Sequence, residues 1–277
     1  MNRWEITYHI ESYVNFFNQF SIDGVKFYHK DRNNYASLEI QAFEMCDAEK
    51  QGEDKLRETL KTIEFTINQR INYGIIDIKQ INKEDNNKLV GASYVNSSVA
   101  VRRPFPDDQL KSIENFFSKL NEMDKIGRIA YESYLRGLEV GEWYNEAFLN
   151  FYKAIEVIAG TYLNEGKKEK EIEVQSDLDS LVLKLKKNIE SNSLNVNRIK
   201  SICTQIHKLG FVETKMKMHL ALKDLGLDKY DEDLDVIVNY RNEFVAHGSS
   251  SKMVEISELE KCKEISKEMI LKYIEKH

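Results

Sequence analysis

The sequence predicts an α+β chain, with a small α/β-type sheet domain at the N-terminus followed by an all-α helical bundle. Three observations predict it. Before residue 103, apolar and polar residues alternate in several short segments, which is the period of a half-buried strand. From Asp107 onward, apolar residues recur every third or fourth position, which is the period of an amphipathic helix. Between the two regimes stand the chain's two prolines, Pro104 and Pro106, a residue type that continues neither a central strand nor a helix interior. The boundary is therefore expected there, giving domains of 1–103 and 107–277. Each is long enough to bury a core of its own.

The strands follow from alternation. In Arg3–Ile10, Trp4, Ile6, Tyr8 and Ile10 oppose Glu5, Thr7 and His9. Gly24–His29, Tyr35–Phe43, Gly74–Ile81 and Ser97–Arg103 read in the same way. A helix is expected over Glu53–Asn72, because Leu56, Leu60, Ile63, Ile67 and Ile71 make one apolar stripe. Helices are then expected over Asp107–Leu120, Lys125–Leu138, Glu142–Leu163, Ser176–Glu190, Val196–Lys208, Glu213–Leu225, Asp231–His247 and Ile256–Glu275. In the third of these, Tyr144, Phe148, Phe151, Ile155, Ile158 and Tyr162 form a stripe long enough for a central helix. No internal repeat is present.

Composition excludes some classes. No apolar run approaches the roughly 18 residues that a membrane span requires, and the N-terminus lacks a charged-then-apolar signal pattern. Cys46, Cys203 and Cys262 are too few and too scattered for a disulfide framework. A soluble, cytoplasmic protein with no membrane partner is expected. The first domain contains no phosphate-binding glycine loop and no nucleophile elbow, so no cofactor is implied.

The formal net charge is -6, yet the charge is uneven. Between Lys184 and Lys223 lie nine basic residues (Lys184, Lys186, Lys187, Arg198, Lys200, Lys208, Lys215, Lys217, Lys223) against Glu190 and Glu213. A local basic surface on an acidic protein suits an RNA phosphate backbone. Solvated helix faces would produce the same composition.

The most informative stretch is Val238-Asn239-Tyr240-Arg241-Asn242-Glu243-Phe244-Val245-Ala246-His247-Gly248. Asp231, Glu232, Asp233 and Asp235 suit the start of a helix here and Gly248 its stop. Arg241 falls on the apolar line of Leu234, Ile237, Val238, Phe244 and Val245. A guanidinium there needs a partner or a cleft, because an isolated buried charge is very costly. His247, in the expected last turn, is a residue type suited to taking a proton from a ribose 2′-hydroxyl or giving one to a leaving 5′-oxygen. Arg241 would stabilise charge building on the phosphate, and Asn242 would orient either. On an RNA substrate no metal would be needed, since the ribose supplies its own nucleophile. The products would be a 2′,3′-cyclic phosphate and a 5′-hydroxyl.

With the upstream stretch Tyr152-Lys153-Ala154-Ile155-Glu156-Val157-Ile158, this segment resembles the HEPN superfamily, and within it the ApeA-like branch. Those helical-bundle proteins carry a closely spaced arginine, polar residue and histidine, and many are metal-independent ribonucleases. The resemblance covers roughly Asp107 to His277. It implies Arg241, Asn242 and His247 as a catalytic triplet and matches Glu156 to an acidic position of the family. On its helix Glu156 flanks the apolar stripe beside Tyr152 and Ala159, a place from which it would salt-bridge Arg241; a plain exposed acid is the other interpretation. The same arginine-to-histidine interval recurs from Arg3 to His9, but in an alternating strand segment. Residues six apart on a helix lie about 9 Å apart along its axis and about 120° around it, so one pair encloses a phosphate poorly. The resemblance implies a homodimer in which two such motifs share one cleft. It also implies a role in anti-phage defence (abortive infection) or as a toxin, with an antitoxin or phage-derived activator as further partner. A catalytically inactive HEPN-fold scaffold and an RNA-binding adaptor are the alternatives.

Other candidates read as structural. Cys203 and His207 have the spacing of half a metal site without a second half. His219, His9 and His29 read as packed or cross-strand residues. Tyr240, directly before Arg241, has the position for base stacking.

Overall fold

The computed structural model describes residues 1–81, 103–104, 107–120, 122–164, 213–242 and 254–277, together with 180, 183, 184 and 187. It divides into two compact units, Met1–Glu122 and Met123–His277. The sheet-then-helices architecture is that of an α+β chain. No helix among the described residues is long and apolar enough to cross a membrane.

The first unit is built on β1 (Asn2–Glu11), β2 (Val14–Asn15), β3 (Phe20–Ile22), β4 (Val25–Lys30), β5 (Asn33–Ala42) and β6 (Asn72–Gln80). Five of these form one antiparallel sheet in the order β3-β4-β5-β1-β6. Strand β2 pairs instead with β7 (Arg103–Pro104), in parallel. Positions 97–102 of the expected Ser97–Arg103 strand lie outside the described residues.

Helix α1 (Met45–Ile67) connects β5 to β6 and covers one sheet face. Its stripe of Leu56, Leu60 and Ile63 is fully buried with Ile6, Tyr8, Ile10 and Leu38 of the sheet. Each such aliphatic side chain contributes about 1.5–3 kcal/mol. The helix starts eight residues before the expected Glu53. Its first two turns are polar, with only Ala48 and Gly52 buried, so no apolar period marks them. Gly52 also reads as a break. In the fold it is a close approach: a Cβ there would lie 2.5 Å from Ile6 Cδ1.

One carboxylate closes this unit. Glu64, 1% exposed, accepts from Arg57 Nη1 at 3.2 Å, Arg70 Nη1 at 3.2 Å and the Ile71 backbone N–H at 2.9 Å. It thereby fixes the turn from α1 into β6. Helix α2 (Asp107–Leu120) belongs here too. Its Ile113 joins the sheet core, and Phe116 stacks on Phe65 of α1 with centroids 4.5 Å apart. The helical unit therefore begins after α2, at Met123, rather than at the expected 107. Amphipathic periodicity shows that α2 has an apolar face, but not which core receives it.

The second unit contains α3 (Lys125–Glu139), α4 (Tyr144–Ala159) continued by a single 3-10 turn (Gly160–Tyr162), α5 (Thr214–Asp224), α6 (Asp231–Tyr240) and α7 (Ile256–Lys276). Helices α3 and α4 pack as a hairpin, and Gly137 lets them close: a Cβ there would meet the buried Phe151 ring at 2.5 Å. Asp124 caps α3, with its Oδ1 accepting from the Gly127 N–H at 2.7 Å, and its Oδ2 accepts from the Tyr273 hydroxyl of α7 at 2.9 Å. The Val254 N–H donates to Asn145 Oδ1 at 2.8 Å, tying the approach to α7 to the start of α4. Helix α4 is thus central, as its aromatic stripe predicts, with α3, α5 and α7 packed on it. The expected helices over Ser176–Glu190 and Val196–Lys208 lie outside the described residues, apart from 180, 183, 184 and 187.

Candidate functional site

Arg241 sits where α6 ends. The helix buries Leu234, Ile237 and Val238 and begins with Asp231, Glu232 and Asp233, which suit the positive end of its dipole. The expected helix runs on to His247. The α-helical geometry runs to Tyr240 and widens to π-type at Arg241 and Asn242, while positions 243–247 lie outside the described residues. Such widenings are frequent at functional sites. The Arg241 side chain leaves on the same face as Ile237 and Val238, which carries it back over α4.

There it meets the residues that its chemistry requires. Its Nη2 lies 3.9 Å from Glu156 Oε1, its Nη1 donates to Asn242 Oδ1 at 3.2 Å, and its Cζ lies 5.6 Å from the centre of the Tyr152 ring. Glu156 and Tyr152 are one turn apart on α4, which places acid and ring on one face. The ring is fixed from below, since the buried Tyr152 hydroxyl donates to Met218 Sδ of α5 at 3.8 Å. Burial, reinforced by Glu156 and opposed by Arg241, holds the Tyr152 phenol well above its ordinary value. It is a neutral aromatic support for the guanidinium.

The geometry is open. The side chains of Arg241 and Glu156 are 36% and 34% exposed, and 3.9 Å is the outer limit of an ion pair. A planar five-donor fork held on an aromatic face, with a single long contact to its carboxylate, is disposed to receive a second anion.

The structure thus brings together Glu156, Arg241 and Asn242 of the sequence-derived set. His247 lies outside the described residues. Tyr152, under the guanidinium, was not singled out as a site residue; its position one turn before Glu156 was the signal. Tyr240 packs inward, with its ring centre 6.0 Å from that of Phe148.

The basic segment is more divided than its composition suggests. Lys186, Arg198, Lys200 and Lys208 lie outside the described residues, as do Cys203 and His207. Lys184 and Lys187 are exposed, and Lys217 is half-buried. Lys215 is bound to Asp235 of α6 at 2.8 Å, so its charge is spent internally. His219 is clamped beside it, with Nδ1 2.7 Å from Asp231 Oδ1 and Nε2 2.7 Å from Asp235 Oδ1. Among the described residues no group of three or more His, Cys, Asp or Glu side chains is disposed to hold a metal ion.

One cleft of about 690 Å³ opens elsewhere on this unit, lined by Thr161, Tyr162, Leu220, Lys223, Asp224, Lys276 and His277. Asp224 accepts from both Tyr162 and Lys276 there. Set against known proteins, the chain matches no family model, no curated protein and no solved structure.

Proposed function

We propose that the protein is a metal-independent HEPN endoribonuclease of the cytoplasm. The observation that carries the proposal is the half-exposed Arg241 guanidinium, held between Glu156 and Asn242 and seated on Tyr152. Sequence resemblance selects Glu156 and the adjacent pair Arg241-Asn242, 85 residues apart in the chain, and in the fold Glu156 and Arg241 are neighbours. The guanidinium stabilises the extra charge on the phosphate as the ribose 2′-oxygen attacks. Asn242 orients the fork, and Glu156 restrains it between turnovers. His247 of one copy takes the 2′-proton, and the histidine of the facing copy protonates the leaving 5′-oxygen on the opposite side of the phosphate. A second copy of the chain supplies the facing motif. The biological setting is anti-phage defence or toxin action, with an antitoxin or a phage-derived activator setting its timing.

The test is incubation of the purified protein with total cellular RNA in EDTA, followed by mapping of fragment ends. Fragments ending in 2′,3′-cyclic phosphate, absent with His247→Ala, are the expected result. One observation favours a second reading, a HEPN-fold scaffold without catalysis: Glu156 offsets part of the positive charge that Arg241 would offer to a phosphate. In that case intact RNA and unchanged assembly are expected for wild type and His247→Ala alike. The basic-surface adaptor is weakened by the Lys215–Asp235 pair. It predicts RNA affinity that falls on reversal of Lys184 and Lys187 and is indifferent to His247→Ala.

A further inference from the structure

The sheet of the first unit has two unlike faces. One is covered by α1. The other carries a row of rings across three adjacent strands: Tyr28 of β4 is paired in register with Tyr35 of β5, and Tyr35 with His9 of β1. The two tyrosines are stacked, with centroids 5.5 Å apart and planes 25° apart, and His9 meets Tyr35 edge-on at 5.9 Å. All three are partly exposed. Strand β4 reads Val-Lys-Phe-Tyr-His-Lys, so Val25 and Phe27 enter the core while Lys26, Tyr28 and Lys30 share the open side. Both lysines are exposed, and neither has an ion-pair partner among the described residues. Asn33, on the same side, places its Oδ1 3.4 Å from His9 Nε2. The acids Glu39 and Asp77 of this face are each held by a neighbouring cation, Arg3 and Lys79. Glu5, four residues along β1 from His9, and Glu11, two residues beyond His9, are further acids of this side, and the charge of Glu5 reaches Tyr28.

From this arrangement we infer that the open sheet face is a binding surface for single-stranded nucleic acid. Tyr28 and Tyr35 cover one face of each other, so an unstacked base would continue the stack on the outer face of Tyr28, whatever the sequence. Lys26 and Lys30, two residues to either side of Tyr28 on β4 at one end of the row, stand where the sugar-phosphate chain would pass. A duplex keeps its bases stacked inside and offers the rings nothing.

The experiment uses the full-length protein and ~10-nucleotide fluorescent strands of deoxythymidine and of uridine, a length within the usual range for such surfaces. Because the deoxy strand has no 2′-hydroxyl, this inference stands or falls independently of cleavage at Arg241. Anisotropy titrations should show salt-sensitive binding of the single strands and much weaker binding of a duplex of equal length. Tyr28→Ile keeps a strand-forming residue and removes the ring, and should weaken binding at least about fivefold. Tyr28→Phe should bind as wild type does. Lys26→Ala with Lys30→Ala, at exposed positions where folding is insensitive, should reduce the slope of log affinity against log salt by about 1.4. A preference for uridine over deoxythymidine would identify RNA as the natural strand, and equal binding would identify single strands of either kind. Wild type that binds neither strand, equal affinity for the duplex, or an unchanged slope in the lysine variant would overturn the inference.

Discussion

Each unit of this molecule contains a carboxylate facing arginine, and the two could hardly be built more differently. Glu64 is buried and receives two guanidinium donors and a backbone N–H at 2.9–3.2 Å. Glu156 is one-third exposed and meets one guanidinium at 3.9 Å. The first arrangement has no acceptor capacity left for a ligand and is a structural fastening. The second leaves the fork of Arg241 accessible and underused on an aromatic support. Satisfaction and exposure, rather than the presence of an ion pair, distinguish scaffold from site.

The comparison breaks first at Glu64. Glu64→Ala leaves Arg57, Arg70 and the Ile71 N–H without their acceptor and should cost about 3 kcal/mol, read from denaturant unfolding followed in the far-ultraviolet. A loss below about 1 kcal/mol would remove the distinction. Arg241→Ala should do the converse. Its stability should change by less than about 1 kcal/mol, while RNA cleavage falls by about a hundredfold or more. Arg241→Lys keeps the charge, loses the fork, and should recover only part of that activity.

Asp124→Ala sharpens the contrast from within the helical unit. It removes the α3 cap and the acceptor of the Tyr273 hydroxyl, whose ionisation burial and Asp124 push up to about 12, and should cost about 1–2 kcal/mol with no specific effect on cleavage. Glu156→Gln should be nearly neutral for stability. It should lower cleavage less than tenfold, and it should have no further effect in an Arg241→Ala background if the acid acts only through the arginine.

The smallest expected effect is a pH dependence. Hydrogen bonds from Lys276 and Tyr162 hold the Asp224 carboxyl below its ordinary value. Its contribution is therefore present above the unfolded carboxylate's pKa and is lost as pH falls through the lower folded value. Because the side chain is 41% exposed, the slope should be shallow. Asp224→Asn should remove it in acid melts below about pH 4.

Much of this was legible in the chain. Alternation located β1, β4 and β5, because each buries one face in the core under α1, and it also located β6, whose residues are only partly buried. The stripe of α4 identified a central helix, because five of its apolar positions turn inward together. Arg241 was legible as a charge on an apolar line, a placement that demands a partner. What failed to show has physical reasons. The first turns of α1 carry no apolar period. The apolar face of α2 does not name its core. Counting charges cannot see that Asp235 neutralises Lys215. The widening at Arg241–Asn242 leaves no mark in a helical pattern. The rings of Tyr28 and Tyr35 read as ordinary strand residues until the register set them side by side.

The most direct test of the central claim pairs cleavage with melting for wild type and Arg241→Ala. Labelled RNA is incubated with each protein in EDTA, and unfolding curves are recorded on the same samples. The account predicts 2′,3′-cyclic phosphate fragments from wild type alone, with superimposable melts. Equal cleavage by both proteins, or a variant that loses activity only because it unfolds, would contradict it.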